Sequence, residues 1–264
     1  MPVGGTLANG TSTGGCAMSE HFTSWKVPDG TPGLGADDVH IWCVSPVSAA
    51  CLSDLKDSLS VDERMKADRF YFNRDREQFV RARGTLRFIL GKYLNCDSRA
   101  LIFAYGAHGK PTLADSAVRF NTSHSGDYIL HAVSLRLELG VDVEHMRRNV
   151  EIEELSARYF SPAENAVIAA LPAQQKRVAF FRCWTQKEAF LKAKGIGVSL
   201  PLNQFDVAVA PDQAAGLLNT HYDPSEAQRW SMLELHPAYN YAGAVAIEGQ
   251  SWNPSYWNWL ETSN

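Results

Sequence analysis

The sequence is short of several things, and each shortage closes a class of function. Its five cysteines (Cys16, Cys43, Cys51, Cys96 and Cys183) are odd in number and widely spaced, with no Cys-x-x-Cys pair. That excludes a disulfide framework and a structural zinc site, and it fits a reduced, cytoplasmic setting. No apolar run approaches the roughly 20 residues that cross a bilayer. No Lys or Arg precedes Lys26 and no apolar segment opens the chain, so neither a signal peptide nor a membrane partner is expected. Net charge is −4, which excludes a general nucleic-acid binder, because backbone binding needs clustered positive charge. Neither the Gly-x-x-x-x-Gly-Lys-Ser/Thr loop nor the dinucleotide fingerprint is present, so bound phosphates would need another holder.

What is there is ample for a core: 264 residues, 45% hydrophobic, with 12 Phe, 9 Tyr and 7 Trp. Residues 1–36 are rich in Gly, Ser and Thr and are expected to be a flexible leader, lying outside the fold at least as far as Ser24. A strand at Val39–Val44 is followed by helical patterns at Ser48–Ser58, Val61–Phe72 and Asp75–Leu94. Strands are then expected at Leu101–Tyr105, Val118–Asn121 and Tyr128–Leu135. The cycle restarts with a strand at Gly140–Glu144 and helices at Glu151–Tyr159, Pro162–Ala170 and Gln174–Lys194. Strands follow at Phe205–Ala210, Trp230–Leu235 and Tyr239–Ile247. Ser161-Pro162-Ala163-Glu164 is a helix start with its cap, its proline and its capping-box acid in place. The repeated order, and the echo of Arg69-Phe70-Tyr71-Phe72 in Arg158-Tyr159-Phe160, predict an α+β fold. It has two similar halves, 37–137 and 138–264, each with a long helix against an antiparallel sheet.

Leu139-Gly140-Val141-Asp142-Val143-Glu144 carries the most chemistry. On a strand Val141 and Val143 enter a core while Asp142 and Glu144 share the other face. Two carboxylates that close need a positive partner, and a hard divalent cation takes oxygen ligands. Downstream, Phe181, Trp184, Glu188 and Lys192 form one helical stripe. A Glu–Lys pair is common on solvated faces, but this stripe also carries the large aromatics, where charges need a partner or ligand. Asn121-Thr122-Ser123-His124-Ser125-Gly126-Asp127 ends one strand and turns into the next, where Ser and His could hydrogen-bond phosphate oxygens. Ser-His-Ser-Gly lacks the Gly-x-Ser-x-Gly elbow of a hydrolase. Arg76, Arg83 and Arg87 border the apolar arc of the first long helix and could reach a cleft between the halves, whereas Arg74 and Arg81 are expected to face solvent.

With Gly109-Lys110-Pro111, Asn121-x-Ser123-His124-Ser125, Gly140 to Glu144, Trp184-x-x-Lys187-Glu188-Ala189-x-x-Lys192-Ala193, Gly195-Ile196-Gly197 and Leu200-Pro201-Leu202 in order, the chain resembles the Sfp-type 4′-phosphopantetheinyl transferases from about Glu63 to Phe205. The resemblance implies an enzyme that moves the phosphopantetheine arm of coenzyme A to a serine of an apo acyl or peptidyl carrier protein. Adenosine 3′,5′-bisphosphate is released. It implies Mg²⁺ on Asp142, Glu144 and Glu188, with Glu188 also the base and Asp142, Glu188 and Lys192 the catalytic set. Lys110, Ser123, His124 and Lys192 are the implied coenzyme A contacts. Where bacterial relatives carry two lysines before the first Arg-Phe-Tyr, this chain has Glu63, Arg64 and Lys66, so Lys66 and Arg76 are the candidates for the nucleotide phosphate. A monomer is expected, since one chain supplies both walls of the cleft. A catalytically silent coenzyme A-binding module and a metal-dependent phosphohydrolase are the alternatives.

Overall fold

The computed structural model describes residues 23–147 and 149–261. Strand β1 (Asp38–Val44) is followed by helices α1 (Ala49–Asp57), α2 (Val61–Asp68) and α3 (Asn73–Leu94), then by β2 (Phe103–Tyr105), β3 (Pro111–Leu113), β4 (Val118–Ser125) and β5 (Tyr128–Leu135). The second half runs β6 (Leu139–His145), α4 (Ile152–Tyr159), α5 (Pro162–Ala170), α6 (Ala173–Lys194), β7 (Phe205–Val207), β8 (Leu217–Thr220), α7 (Glu226–Arg229), β9 (Trp230–Leu235) and β10 (Tyr241–Glu248). A last strand, β11 (Asn253–Trp259), closes the chain.

The duplication is visible in the sheets. In each half the first strand pairs antiparallel with the last, and the last with the one before it: β1-β5-β4 and β6-β10-β9. Strand alternation then sorts the side chains. Val39, Ile41 and Cys43 of β1 and Leu139, Val141 and Val143 of β6 share one core between the two sheets. Leu86, Ile89 and Leu90 of α3 pack with Trp42, Phe120 and Val133 on the outer face of the first sheet. Phe190, Leu191 and Ala193 of α6 pack with Ala242, Ala244 and Ala246 on the outer face of the second. The result is four layers, helix–sheet–sheet–helix, with each long helix against its own sheet. The caps match their chemistry: Ser161 and Glu164 form a capping box with Pro162 at the start of α5, and Gly195 ends α6 in the left-handed region at φ 64°.

Four expectations are corrected. First, the leader ends earlier than residue 36. Residues 1–22 lie outside the described residues, but Trp25 packs against the inter-sheet core and Lys26 bridges to Trp257. Second, residues 253–259 fall within the expected second half but form a strand, β11, that pairs in parallel with β1 and extends the first sheet. Third, α2 stops at Asp68, so Arg69 to Phe72 is a connection and not a helical turn. Fourth, β4 runs through Ser125, placing the Asn-Thr-Ser-His-Ser run on a strand, with the turn left to Gly126 and Asp127. Pairing with β5 along the full length of β4 supplies the ladder that local propensity did not announce.

Candidate active site at the seam between the halves

Gly140 sets the geometry. A Cβ there would lie 2.2 Å from both the Ala189 carbonyl oxygen and the Ala193 amide nitrogen. Only glycine lets the α6 backbone lie this close to β6. The close approach brings Lys192 against the strand's outer face, where Asp142 stands. Lys192 Nζ donates to Asp142 Oδ1 at 2.5 Å and to Ser123 Oγ at 3.0 Å. Asp142 is buried, and its Oδ2 has no hydrogen-bond partner among the described residues.

The other two carboxylates face the same charges. Partial burial, then the charge of Asp142, raises the Glu144 carboxyl above its ordinary range, against the lowering effect of the hydrogen bond from Ser125. Burial, then Asp142 and Glu144, raises Glu188, and Lys192 offsets part of that rise. Among the described residues no three acidic, His or Cys side chains already form a metal cage. The donor set nonetheless fits a hard cation: three oxygen donors that repel one another and a buried carboxylate oxygen with no partner.

Strand β4 lies beside β6, but side chains replace the backbone ladder between them. Asn121 Oδ1 accepts from the Val141 amide at 3.0 Å, Ser123 Oγ from Val143 at 3.3 Å and Ser125 Oγ from His145 at 3.0 Å. The pairs advance together, so β4 runs parallel to β6, as β11 does to β1. The two seryl hydroxyls donate in turn to Asp142 Oδ1 at 2.8 Å and Glu144 Oε2 at 2.7 Å. Ser123, expected at a phosphate, is thus buried and occupied by Asp142, Val143 and Lys192. His124 points to the other face of β4 and is exposed. The protein packed around it, then the charge of Lys192, lowers its pKa.

Lys110, whose motif implied a coenzyme A contact, is engaged by protein groups. Its three N–H donors reach Glu138 Oε2 at 3.0 Å, the Leu139 carbonyl at 3.1 Å and the Ala193 carbonyl at 2.7 Å. It therefore braces the last turn of α6 against the start of β6, a favourable place for a cation. Lys66 is exposed on α2 and lies over the Phe79 ring at 5.3 Å. Arg76 donates to the Phe70 carbonyl and steadies the α2–α3 connection.

The arginine assignment is corrected in part. Arg87 is buried on Glu63 at 2.6 Å, and Arg83 joins the same carboxylate at 3.4 Å while stacking on Phe103. Arg87 is thereby closed to a ligand, whereas Arg83 Nη1 has no partner among the described residues. Arg81, expected in solvent, is half-buried within range of Asp127 and Tyr241, and its Nε has no partner among the described residues. It belongs to a polar stripe of α3 with Gln78, which donates to the Gly126 carbonyl, and Thr85, which bonds His131. The apolar arc drew attention to its own margins and away from this stripe. Asn121 and Ser125, quoted only as part of a motif, and Arg81, expected in solvent, border the candidate site without having been given a role from the sequence. The period-2 run of small polar residues at 121, 123 and 125 was the available signal.

Comparison with known proteins gives one consistent result. Residues 138–246 match the family model described as the 4′-phosphopantetheinyl transferase superfamily, and residues 45–136 match that for the N-terminal part of 4′-phosphopantetheinyl transferases. The chain is 39% identical over 249 residues to the 4′-phosphopantetheinyl transferase HetI of Nostoc sp., covering 92% of this chain and 100% of that one. It is 31% identical to the 4′-phosphopantetheinyl transferase psf-1 of Bacillus pumilus, over 72% of this chain and 80% of the relative. With the 4′-phosphopantetheinyl transferase Sfp of Bacillus subtilis the identity is 27%, over 71% and 82%.

Proposed function

The chain belongs to the 4′-phosphopantetheinyl transferase family, and from that premise we propose that the seam between its halves is where the transfer occurs, with Mg²⁺ held by Asp142, Glu144 and Glu188. It is a transferase whose substrates are coenzyme A and a carrier protein. The observation that carries the site assignment is the buried Asp142 Oδ2, without a partner among the described residues, beside the partly exposed Lys192 ammonium, on a strand that borders both halves.

When bound, Mg²⁺ supplies positive charge to the pyrophosphate oxygens as the phosphoryl group transfers. Lys192, with 30% of its side chain exposed, offers its ammonium to the oxygens on which charge builds, by electrostatic stabilisation. Glu188 takes the proton from the acceptor serine Oγ, a weak nucleophile until deprotonated. The Oγ–phosphorus bond forms as the bond to the departing phosphate oxygen breaks, and adenosine 3′,5′-bisphosphate leaves with that electron pair. His124, Lys110, Lys66 and Arg76 are the candidate coenzyme A contacts. The placement of Lys110 favours a bracing role, and the orphaned Nε of Arg81 makes it a further candidate. Ser123 acts on the site through Asp142 and Lys192.

In this reading residues 37–137 and 138–264 are the two walls of one cleft, except that β11 completes the first sheet. One chain then suffices, and we assign a cytoplasmic monomer that needs neither nucleic acid nor membrane. Cys43, Cys51, Cys96 and Cys183 are free thiols, and no helix of the described residues is long and apolar enough to cross a membrane.

The test is to mix the protein with coenzyme A, Mg²⁺ and an apo carrier protein and to weigh the carrier. Gain of the phosphopantetheinyl mass with release of the bisphosphate is expected. Release without mass gain means hydrolysis, and neither product means a binding module; each defeats the proposal.

A further inference from the structure

The side-chain ladder between β4 and β6 has a regular form. Each seryl hydroxyl at position i accepts from the β6 amide at i+20 and donates to the carboxylate at i+19: Ser123 with Val143 and Asp142, Ser125 with His145 and Glu144. Asn121 keeps the amide contact to Val141, and its i+19 partner is Gly140, which has no side chain because α6 lies there. A hydroxyl has one proton and two lone pairs, so it can serve both groups at once. An alanine serves neither, and it orphans an amide on an otherwise unpaired strand edge.

We propose that Ser125, with Ser123, is a positioning residue for the transfer. Its hydroxyl ties Glu144 to the β4–β6 register so that one carboxylate oxygen is held and the other is left for the cation. The inference rests on reading Asp142 and Glu144 as cation ligands. It adds that their aim is set from the first half of the chain, by hydroxyls that bind the carboxylates and the β6 amides. Both seryl side chains are buried, and each hydroxyl binds one carboxylate oxygen. For Asp142 the remaining oxygen is the buried Oδ2, which has no partner among the described residues. Groups that hold a metal's ligands in place typically change metal affinity about 10–100-fold when removed.

The experiment titrates Mg²⁺ calorimetrically into the coenzyme A-bound enzyme without carrier protein, for wild type, Ser125→Ala, Ser125→Thr and Glu144→Gln. Circular dichroism checks the fold of each. Ser125→Ala is expected to weaken Mg²⁺ binding by about 10-fold or more, and Ser125→Thr, which keeps the hydroxyl, to recover most of it. If Glu144→Gln weakens Mg²⁺ binding while Ser125→Ala leaves it at the wild-type value, the positioning role is wrong and the metal assignment stands. If Glu144→Gln itself binds as wild type, the metal assignment is wrong and the inference fails with it. Should Ser125→Ala not fold, Ser125→Cys, of similar volume but a weak donor and acceptor, takes its place with the same expected loss.

Discussion

Lys187 and Lys192 stand little more than a turn apart on α6, and each meets a carboxylate from another element. Lys187 is fully buried, 2.8 Å from Glu164, and also donates to the Leu202 and Phe205 carbonyls. Glu164 in turn accepts from the Ser161 and Val207 amides. Every strong group there has a protein partner, so the pair locks α5, α6 and β7 together and has nothing left to offer a ligand. Lys192 is partly exposed, and Asp142 retains an oxygen without a partner among the described residues. The same two functional groups make a structural pin in one place and, in the proposed function, a reactive site in the other. What differs is whether the surrounding hydrogen-bond capacity is filled. Two histidines repeat the contrast. His131 is buried with Thr122 on Nδ1 at 2.8 Å and Thr85 on Nε2 at 2.9 Å, while His124 faces out from the neighbouring strand.

The largest effect that would break this comparison is on stability. Lys187→Met leaves the Glu164 charge buried without its cation, and chemical denaturation is expected to show a loss of about 3–5 kcal/mol. Wild-type stability would mean that the pin is no pin. At the open pair, Asp142→Ala is expected to lower kcat/KM about 10²–10³-fold, about 2.7–4 kcal/mol of barrier, with little change in Tm. Carrier-mass assays measure the first and calorimetry the second; a large fall in Tm with retained activity would reverse the roles assigned to the two lysines.

The histidine contrast yields a pH test. Burial, then the charges of Arg83 and His124, lowers His131 from its ordinary 6.5 to about 3. Above pH 6.5 both folded and unfolded states hold it neutral, and its contribution is whole. Below 6.5 the unfolded chain takes a proton that the folded chain refuses, so stability falls continuously until about pH 3. At about 1.4 kcal/mol per pH unit, this residue alone costs about 2 kcal/mol between pH 7 and pH 5. His131→Gln is expected to flatten that slope in denaturation curves taken at the two pH values; an unchanged slope would place the acid sensitivity elsewhere. The smallest effect sharpens the comparison. Gly140→Ala pushes α6 off β6 and should cost about 1–3 kcal/mol. It should also lower activity more than stability, because Lys192 moves with the helix and Lys187 packs at its far side.

Much of this was legible in the chain. Asp142 and Glu144 could be placed on one face of β6 because alternation is a local rule. Glu188 and Lys192 fell on one stripe of α6 because 3.6-residue periodicity is local too. The capping box at Ser161 and Glu164 was read for the same reason. Three things were not legible. Strand β11 carries no signal saying which sheet it joins, and it crosses back to β1. Ser125 and Asn121 gained their role only when β4 came to lie parallel to β6. Arg81 was misplaced because its partners, Asp127 and Tyr241, come from distant segments.

By itself, then, the sequence determined the order of the main elements, the duplication and the identity of the charged residues, which follow from spacing along the chain, and its motifs carried the resemblance to the family. The tertiary structure alone decided which charges are closed and which are open. That depends on whether carbonyls, amides and hydroxyls from remote segments arrive to fill each group's remaining donors and acceptors: Leu202 and Phe205 reach Lys187, Leu139 and Ala193 reach Lys110, and no described residue reaches the second oxygen of Asp142.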